Sequence, residues 1–286
     1  MEVMVVETRA GPVEIALVLG TGSPVLFFPG GHCSARADCG WALYTRSGHG
    51  VVSFSRPGYG DTRVGALTAE EFAPVVREVC EQLHLDAVAA AVGVSFGGMQ
   101  AVHVAADPRL RVERLVLHSC APSVLPYPDT RAETVAGPLV FSPALQGIVW
   151  RLIHRLVRSE AGLRLMMAPL STIPVGEWWD QLSPIDKTEA RRLFQSMQSG
   201  SGFVNDLRQG RPGGTQDRCA ALTRVACPTL VTGSRFDAGV RFSHAQNLAD
   251  TIPGAELVEL DSPNHLFWLG PSKDRLASVL AAFIRG

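Results

Sequence analysis

With 286 residues, 46% of them hydrophobic and 19% charged, the chain is long enough to bury a core without disulfide or metal and too apolar for intrinsic disorder. Lys plus Arg number 26 against 27 Asp plus Glu, and this balance offers neither a basic stripe for nucleic acid nor a polybasic arm for a membrane. The six cysteines form no CxxC pair, Met1–Ala10 lacks the apolar run of a signal peptide, and no apolar run reaches the ~20 residues of a spanning helix, so a cytoplasmic protein with reduced thiols is expected.

Val3–Val6 and Val13–Leu19 straddle Ala10-Gly11-Pro12 and read as a hairpin. Val25–Phe28 is a short apolar run stopped by Pro29-Gly30-Gly31, the pattern of a buried strand. A short helix is expected around Ala42–Ser47, then a buried strand at Val51–Phe54 that runs into Arg56-Pro57-Gly58-Tyr59-Gly60-Asp61. Thr68 and Glu71 form a capping box that opens a helix to about His84, with Phe72, Val75, Val76, Val79 and Leu83 on one face. A strand at Val88–Val92, a helix at Phe96–Ala105 stopped by Asp107-Pro108, and a strand at Leu115–His118 follow. Such alternation predicts a parallel sheet covered by helices.

The alternation stops after Ser119. Helical stretches at Ala144–Val157 and Asp186–Gln198 are punctuated by Pro126, Pro128, Pro138, Pro169, Pro174 and Pro184. This predicts a helical lobe, residues 122–214, inserted into a sheet domain made of residues 1–121 and 215–286. Gly210-Arg211-Pro212-Gly213-Gly214 is linker-like. Sheet logic resumes with a strand at Thr229–Thr232, a helix at Ala245–Asp250 and a strand at Glu256–Leu260. A closing helix at Arg275–Ile284 carries Leu276, Val279, Leu280 and Phe283 on one side.

Gly93-Val94-Ser95-Phe96-Gly97 fits G-x-S-x-G between a predicted strand and a predicted helix. Taken alone, the pentapeptide is equally well read as a tight turn with Ser95 as helix N-cap. A serine hydroxyl is a poor nucleophile unless a base takes its proton, so the companions decide. Asp237 lies five residues past Thr232 and His265 five past Leu260, both just beyond predicted strands, where parallel sheets place their sites. Asp261 reads as a turn-forming residue and Asp206 as a solvated helix-terminal one. His103 and His118 read as hydrogen-bonded core histidines; His49, His84, His154 and His244 default to the surface. Packing is the expectation for Cys33 and Cys120. Trp150, Trp178 and Trp179 are either lobe core or pocket wall.

Together these placements resemble the α/β-hydrolase fold superfamily over nearly the whole chain. Phe27-Phe28-Pro29-Gly30-Gly31 is similar to that family's His-Gly oxyanion loop, with Pro29 where histidine is usual. Ser55-Arg56-Pro57-Gly58-Tyr59-Gly60 looks like its strand-4 loop, Gly97-Gly98 extends the nucleophile turn, and the insertion after His118 matches its cap position. The Ser, Asp, His chain order is the family's. The resemblance implies an α/β fold with a mostly parallel central sheet flanked by helices and an inserted helical cap. It implies Ser95 as nucleophile, His265 as base, Asp237 as orienting acid, and the backbone N–H groups of Gly31 and Phe96 as oxyanion hole. No metal or organic cofactor is implied, because these groups complete the chemistry. The lobe is rich in Leu, Val, Met and Trp, so the expected partner is a small to medium apolar acyl compound (an ester, thioester or lactone), with His32, Trp150, Met167 and Trp178 as candidate pocket residues, His32 reading equally as a loop residue beside an apolar strand. A serine at position 95 speaks against an epoxide hydrolase or dehalogenase, which carry aspartate there. Carbon–carbon bond hydrolysis or cyclisation by the same triad is the alternative chemistry. A non-catalytic ligand-binding protein is the alternative class, against which the complete triad argues.

Overall fold

Gly11, with a φ of +122°, turns the chain between β1 (Glu2–Thr8) and β2 (Gly11–Val18), and the two strands pair antiparallel as predicted. In the computed structural model, which describes residues 1–129, 139–142 and 144–285, strands and helices then alternate. β3 (Gly22–Phe28), α1 (Ala42–Thr45), β4 (His49–Phe54), α2 (Ala69–Gln82) and β5 (Ala87–Val88) come first. β6 (Ala90–Val94), α3 (Gly98–Ala105), β7 (Arg111–Val112) and β8 (Leu115–His118) follow. The chain next passes through α4 (Gln146–Leu156), α5 (Glu160–Met167), α6 (Val175–Trp178), α7 (Pro184–Ser196), α8 (Gly202–Gln209) and α9 (Thr215–Thr223). It re-enters the sheet through β9 (Thr229–Gly233), α10 (Phe242–Thr251), β10 (Glu256–Glu259) and α11 (Lys273–Arg285).

The main sheet has the order β1-β2-β4-β3-β6-β8-β9-β10 and is parallel from β4 onward. Its faces follow from the two-residue period of a strand. Val25, Phe27, Val92 and Val116 turn to one side, where they meet Trp41 and, from α11, Leu276 and Leu280. Leu26, Phe28, Ala91 and Leu117 turn to the other, against Phe72 and Val76 of α2, Val102 of α3 and Leu248 of α10. Each such fully buried large side chain contributes about 1.5–3 kcal/mol. The capping box forms as expected: the Glu71 N–H donates to Thr68 Oγ1 at 3.2 Å, and the Thr68 N–H donates to the Glu71 carboxylate at 2.8 Å.

Two expectations need correction. The strand expected over Val88–Val92 is two pieces: β5 pairs with β7 outside the main sheet, and β6 continues to Val94 inside it. The unbroken apolar run carries no breaker that would mark the division. The helix expected from Phe96 opens as a 3-10 turn, Ser95–Gly97, before α3 begins. Among the described residues only helices and 3-10 turns fill the stretch between β8 and β9, apart from one isolated bridge between Ser171 and Asp237. Part of the predicted lobe, residues 130–138 and 143 with its Pro138, lies outside the described residues.

Candidate active site

β6 ends at Val94, and Ser95 takes a φ of +53°, a left-handed conformation that costs a non-glycine residue roughly 1–3 kcal/mol. Its neighbours explain why the pattern needs glycine. A Cβ at Gly93 would lie 2.6 Å from Gly98 Cα, and one at Gly97 would collide with the Phe28 carbonyl oxygen. Ser95 is therefore an elbow between strand and helix; the 3-10 turn is capped by Val94, without a side-chain bond. That removes the reading of Ser95 as an N-cap.

The loop after β3 lies across this elbow. A Cβ on Gly30 would sit 3.1 Å from Ser95 Cβ, and one on Gly31 3.2 Å from the Phe96 ring. Arg56 fixes the loop, donating from Nε to the Pro29 carbonyl and from Nη2 to the Gly30 carbonyl, each at 2.9 Å. Its Nη1 meets Asp206 Oδ1 at 2.5 Å, and Tyr59 Oη donates to Asp206 Oδ2 at 2.6 Å. Asp206, expected to be solvated, is 2% exposed. It points from α8 into the interior because the buried Arg56 guanidinium needs a counter-charge there.

Asp237 stands on the loop after β9. Its Oδ1 accepts from the N–H groups of Gly239 and Val240 at 2.8 and 2.9 Å, and its Oδ2 lies 2.8 Å from His265 Nδ1. The proton of that bond belongs to Nδ1, which leaves Nε2 as the acceptor. Burial lowers the His265 pKa, but the Asp237 charge and hydrogen bond outweigh it and hold the imidazole above its ordinary 6.5. Asp261, by contrast, is exposed and pairs with Arg275 at 2.8 Å.

A segment of the lobe clamps both loops. The Leu170 carbonyl accepts from the Ala238 N–H at 3.2 Å and the His265 N–H at 3.0 Å. The Thr172 N–H donates to the Phe236 carbonyl at 2.9 Å, and Ser171 Oγ donates to the Pro263 carbonyl at 2.5 Å. No periodicity or motif marks this strap in the sequence.

Ser95, His265, Gly31, Phe96, His32 and Trp150 line one cavity of about 460 Å³. Phe141, Met166, Leu193 and Phe203 make much of its apolar wall. A second cavity, of about 270 Å³, borders Met99, Val102 and His103 of α3 and includes neither Ser95 nor His265. Two predicted pocket residues are misplaced: Met167 and Trp178 pack in the interior cluster with Val157, Leu163 and Leu193 instead. Met166 and Met167 end a helix whose successive side chains point about 100° apart, so only one of them faces the cavity. Trp178 turns inward, its Nε1 donating to the Ile173 carbonyl at 3.3 Å.

Among the other histidines, His118 is a core residue as expected, bonded to Tyr44 Oη at 2.8 Å and Thr232 Oγ1 at 2.7 Å. His244, expected at the surface, is buried beside Ser123 and Asp129. Among the described residues no group of three or more His, Cys, Asp or Glu is arranged to hold a metal ion, and no helix is long and apolar enough to cross a membrane.

A family model described as the alpha/beta hydrolase family matches residues 25–279. The uncharacterized hydrolase YcgS of Bacillus subtilis is 30% identical over 272 residues, covering 93% of either chain. Among solved structures, an alpha/beta hydrolase fold protein from Nakamurella multipartita superposes with a TM-score of 0.76 at 24% identity, covering 99% of both chains. A thermophilic esterase from Thermogutta terrifontis gives a TM-score of 0.68 at 22% identity, covering 100% of this chain and 98% of its own.

Proposed function

The chain belongs to the alpha/beta hydrolase family, and from that premise we propose a serine hydrolase that cleaves small to medium, largely apolar esters, thioesters or lactones. One observation carries the reading: a serine in a strained elbow and a carboxylate-bound imidazole line the same apolar cavity. The esterase and hydrolase names of the relatives agree with it.

In this mechanism Ser95 Oγ attacks the acyl carbonyl while His265 Nε2 takes its proton. Asp237 keeps the imidazole in the required tautomer and stabilises the imidazolium. The N–H groups of Gly31 and Phe96 receive the developing oxyanion, each donor contributing about 3 kcal/mol to transition-state binding. His265 passes its proton to the leaving oxygen or sulfur, and a water activated by the same imidazole releases the acid. Ser95, His265 and backbone amides supply all of this chemistry. The lobe, residues 122–214, serves as the cap over a core of residues 1–121 and 215–286, with Trp150 and Phe203 on its share of the wall. The partner is then a small apolar acyl compound and the compartment the cytoplasm, consistent with six free thiols.

The test is a fluorophosphonate probe read by intact mass. The protein should gain one adduct, and Ser95→Ala should gain none while keeping its circular dichroism. An adduct that persists on Ser95→Ala would reject the assignment. A panel of nitrophenyl esters, thioesters and lactones of increasing acyl length then reads the substrate class.

A further inference from the structure

His32 is the first residue after the oxyanion loop, and it brings an imidazole to a wall built largely of Phe141, Trp150, Met166, Leu193 and Phe203. It too adopts a left-handed φ, +63°. Its carbonyl accepts from the Gln198 N–H at 2.8 Å. Its ring centroid lies 3.9 Å from that of Phe203, 4.5 Å from Phe141 and 5.1 Å from Trp150.

A short relay fixes its protonation. The Trp150 indole N–H donates to Ser199 Oγ at 2.9 Å, and the same oxygen lies 2.9 Å from His32 Nδ1. An indole can only donate, so it occupies a lone pair of Ser199. Ser199 is fully buried and its one proton requires an acceptor; among the described residues that acceptor is His32 Nδ1. Nδ1 therefore accepts, and Nε2 carries the ring's proton. Burial, helped by the Arg56 charge, lowers the pKa to about 3, which favours the neutral ring. Among the described residues no hydrogen bond engages Nε2.

We propose that the His32 Nε2–H is a substrate-recognising donor, and that the preferred substrate is an apolar ester or lactone bearing a second, uncharged oxygen acceptor close to the scissile carbonyl. This rests on the serine-hydrolase reading above. Closeness follows from the chain itself, since His32 adjoins Gly31, the proposed oxyanion donor. Absence of charge follows from the surroundings. A neutral imidazole offers no counter-charge, Arg56 is already paired with Asp206, and a carboxylate among aromatic rings would lose its hydration unrepaid. A substrate without the second acceptor leaves a polar N–H facing carbon, which weakens binding by roughly ten- to a hundredfold.

The experiment compares matched esters: ethyl butanoate with ethyl acetoacetate, and ethyl pentanoate with ethyl levulinate. Each is read as kcat/KM and as protection of Ser95 against the fluorophosphonate, which needs no turnover. At least one keto ester should be preferred over its plain partner by about tenfold or more. His32→Phe should bring that ratio to about one, whereas His32→Asn, which keeps a donor and tolerates the left-handed backbone, should restore part of it. Ser199→Ala releases the tautomer and should shrink the ratio with His32 still present. A role in packing alone would depress all the esters together and leave the ratio unchanged, which overturns the proposal, as does a protein indifferent to the keto group. A protein that takes no probe at Ser95 defeats the serine-hydrolase reading itself; one that is labelled but indifferent defeats only the role of His32.

Discussion

The His265 imidazole sits between burial, which favours its neutral form, and Asp237, which favours its charged one, and the carboxylate prevails. In the proposed mechanism His265 must be neutral to accept the Ser95 proton, so kcat/KM should rise with pH through a value above the ordinary 6.5 of histidine. The sign for stability is the reverse. A folded-state pKa raised above the unfolded one stabilises fully below about 6.5, and that contribution fades as pH climbs through the folded value. Asp237→Asn should shift the acid limb of the profile downward and slow acylation by about 10⁴-fold, because asparagine favours the wrong tautomer. A pH–rate profile of both proteins checks this, and a larger loss in Asp261→Asn would reassign the acid. Ser95, Asp237 and His265 were legible in sequence because each sits at a strand end whose signals are local. No such signal tells Met167 from Met166, since both belong to one apolar helix end and only its rotation separates them. The burial of Asp206 is hidden for a related reason: its partners Arg56 and Tyr59 lie some 150 residues away in the chain, and no local pattern reports so distant a pairing.

At the level of elements, close backbone approach decides where glycine is required. Gly97→Ala should force β3 and α3 apart, abolish probe labelling and destabilise the protein by roughly 1–3 kcal/mol. Gly147, on the exposed face of α4, has nothing within 4 Å of where a Cβ would stand, so Gly147→Ala should stabilise by about 0.4–1 kcal/mol. Urea unfolding of the two variants gives opposite signs if this is right. The Arg56–Asp206 pair ties α8 to the loop beneath Ser95, and Asp206→Ala would leave a buried guanidinium without counter-charge. A loss of about 3–5 kcal/mol is expected, against a far smaller one for Asp261→Ala at the surface. Helices and strands with strong periodicity were readable from the sequence, as α2 and its capping box illustrate. The division of β5 from β6 was not, because side-chain period says which face a residue takes but not which neighbouring strand its backbone will join.

Across the whole molecule the lobe and the sheet share one interior. Val157, Leu163, Trp178 and Leu193 belong to the same apolar cluster as Phe27, Trp41 and Phe267. Tryptophan fluorescence, to which Trp150, Trp178 and Trp179 of the lobe contribute beside Trp41 and Trp268, and far-ultraviolet circular dichroism should therefore report one coincident unfolding transition. Two separated transitions would mean that the lobe folds on its own. The insertion was visible as a loss of strand–helix alternation, but its depth of attachment was not, since the side chains and backbone groups that attach it pair with residues far away in the chain.

That attachment carries a consequence for traffic through the site. The Leu170 carbonyl holds the amides of Ala238 and His265 at once, so peeling the lobe away along this margin also releases the loops that aim the base. Loading a substrate through that side would idle the enzyme at the moment of loading. On the proposed mechanism the doorway is expected along another margin, with the Leu170 seam a jamb held shut by its two amide bonds. Slow deuterium uptake at the Ala238 and His265 amides, unchanged when a ligand fills the cavity, is the behaviour such a seam should display.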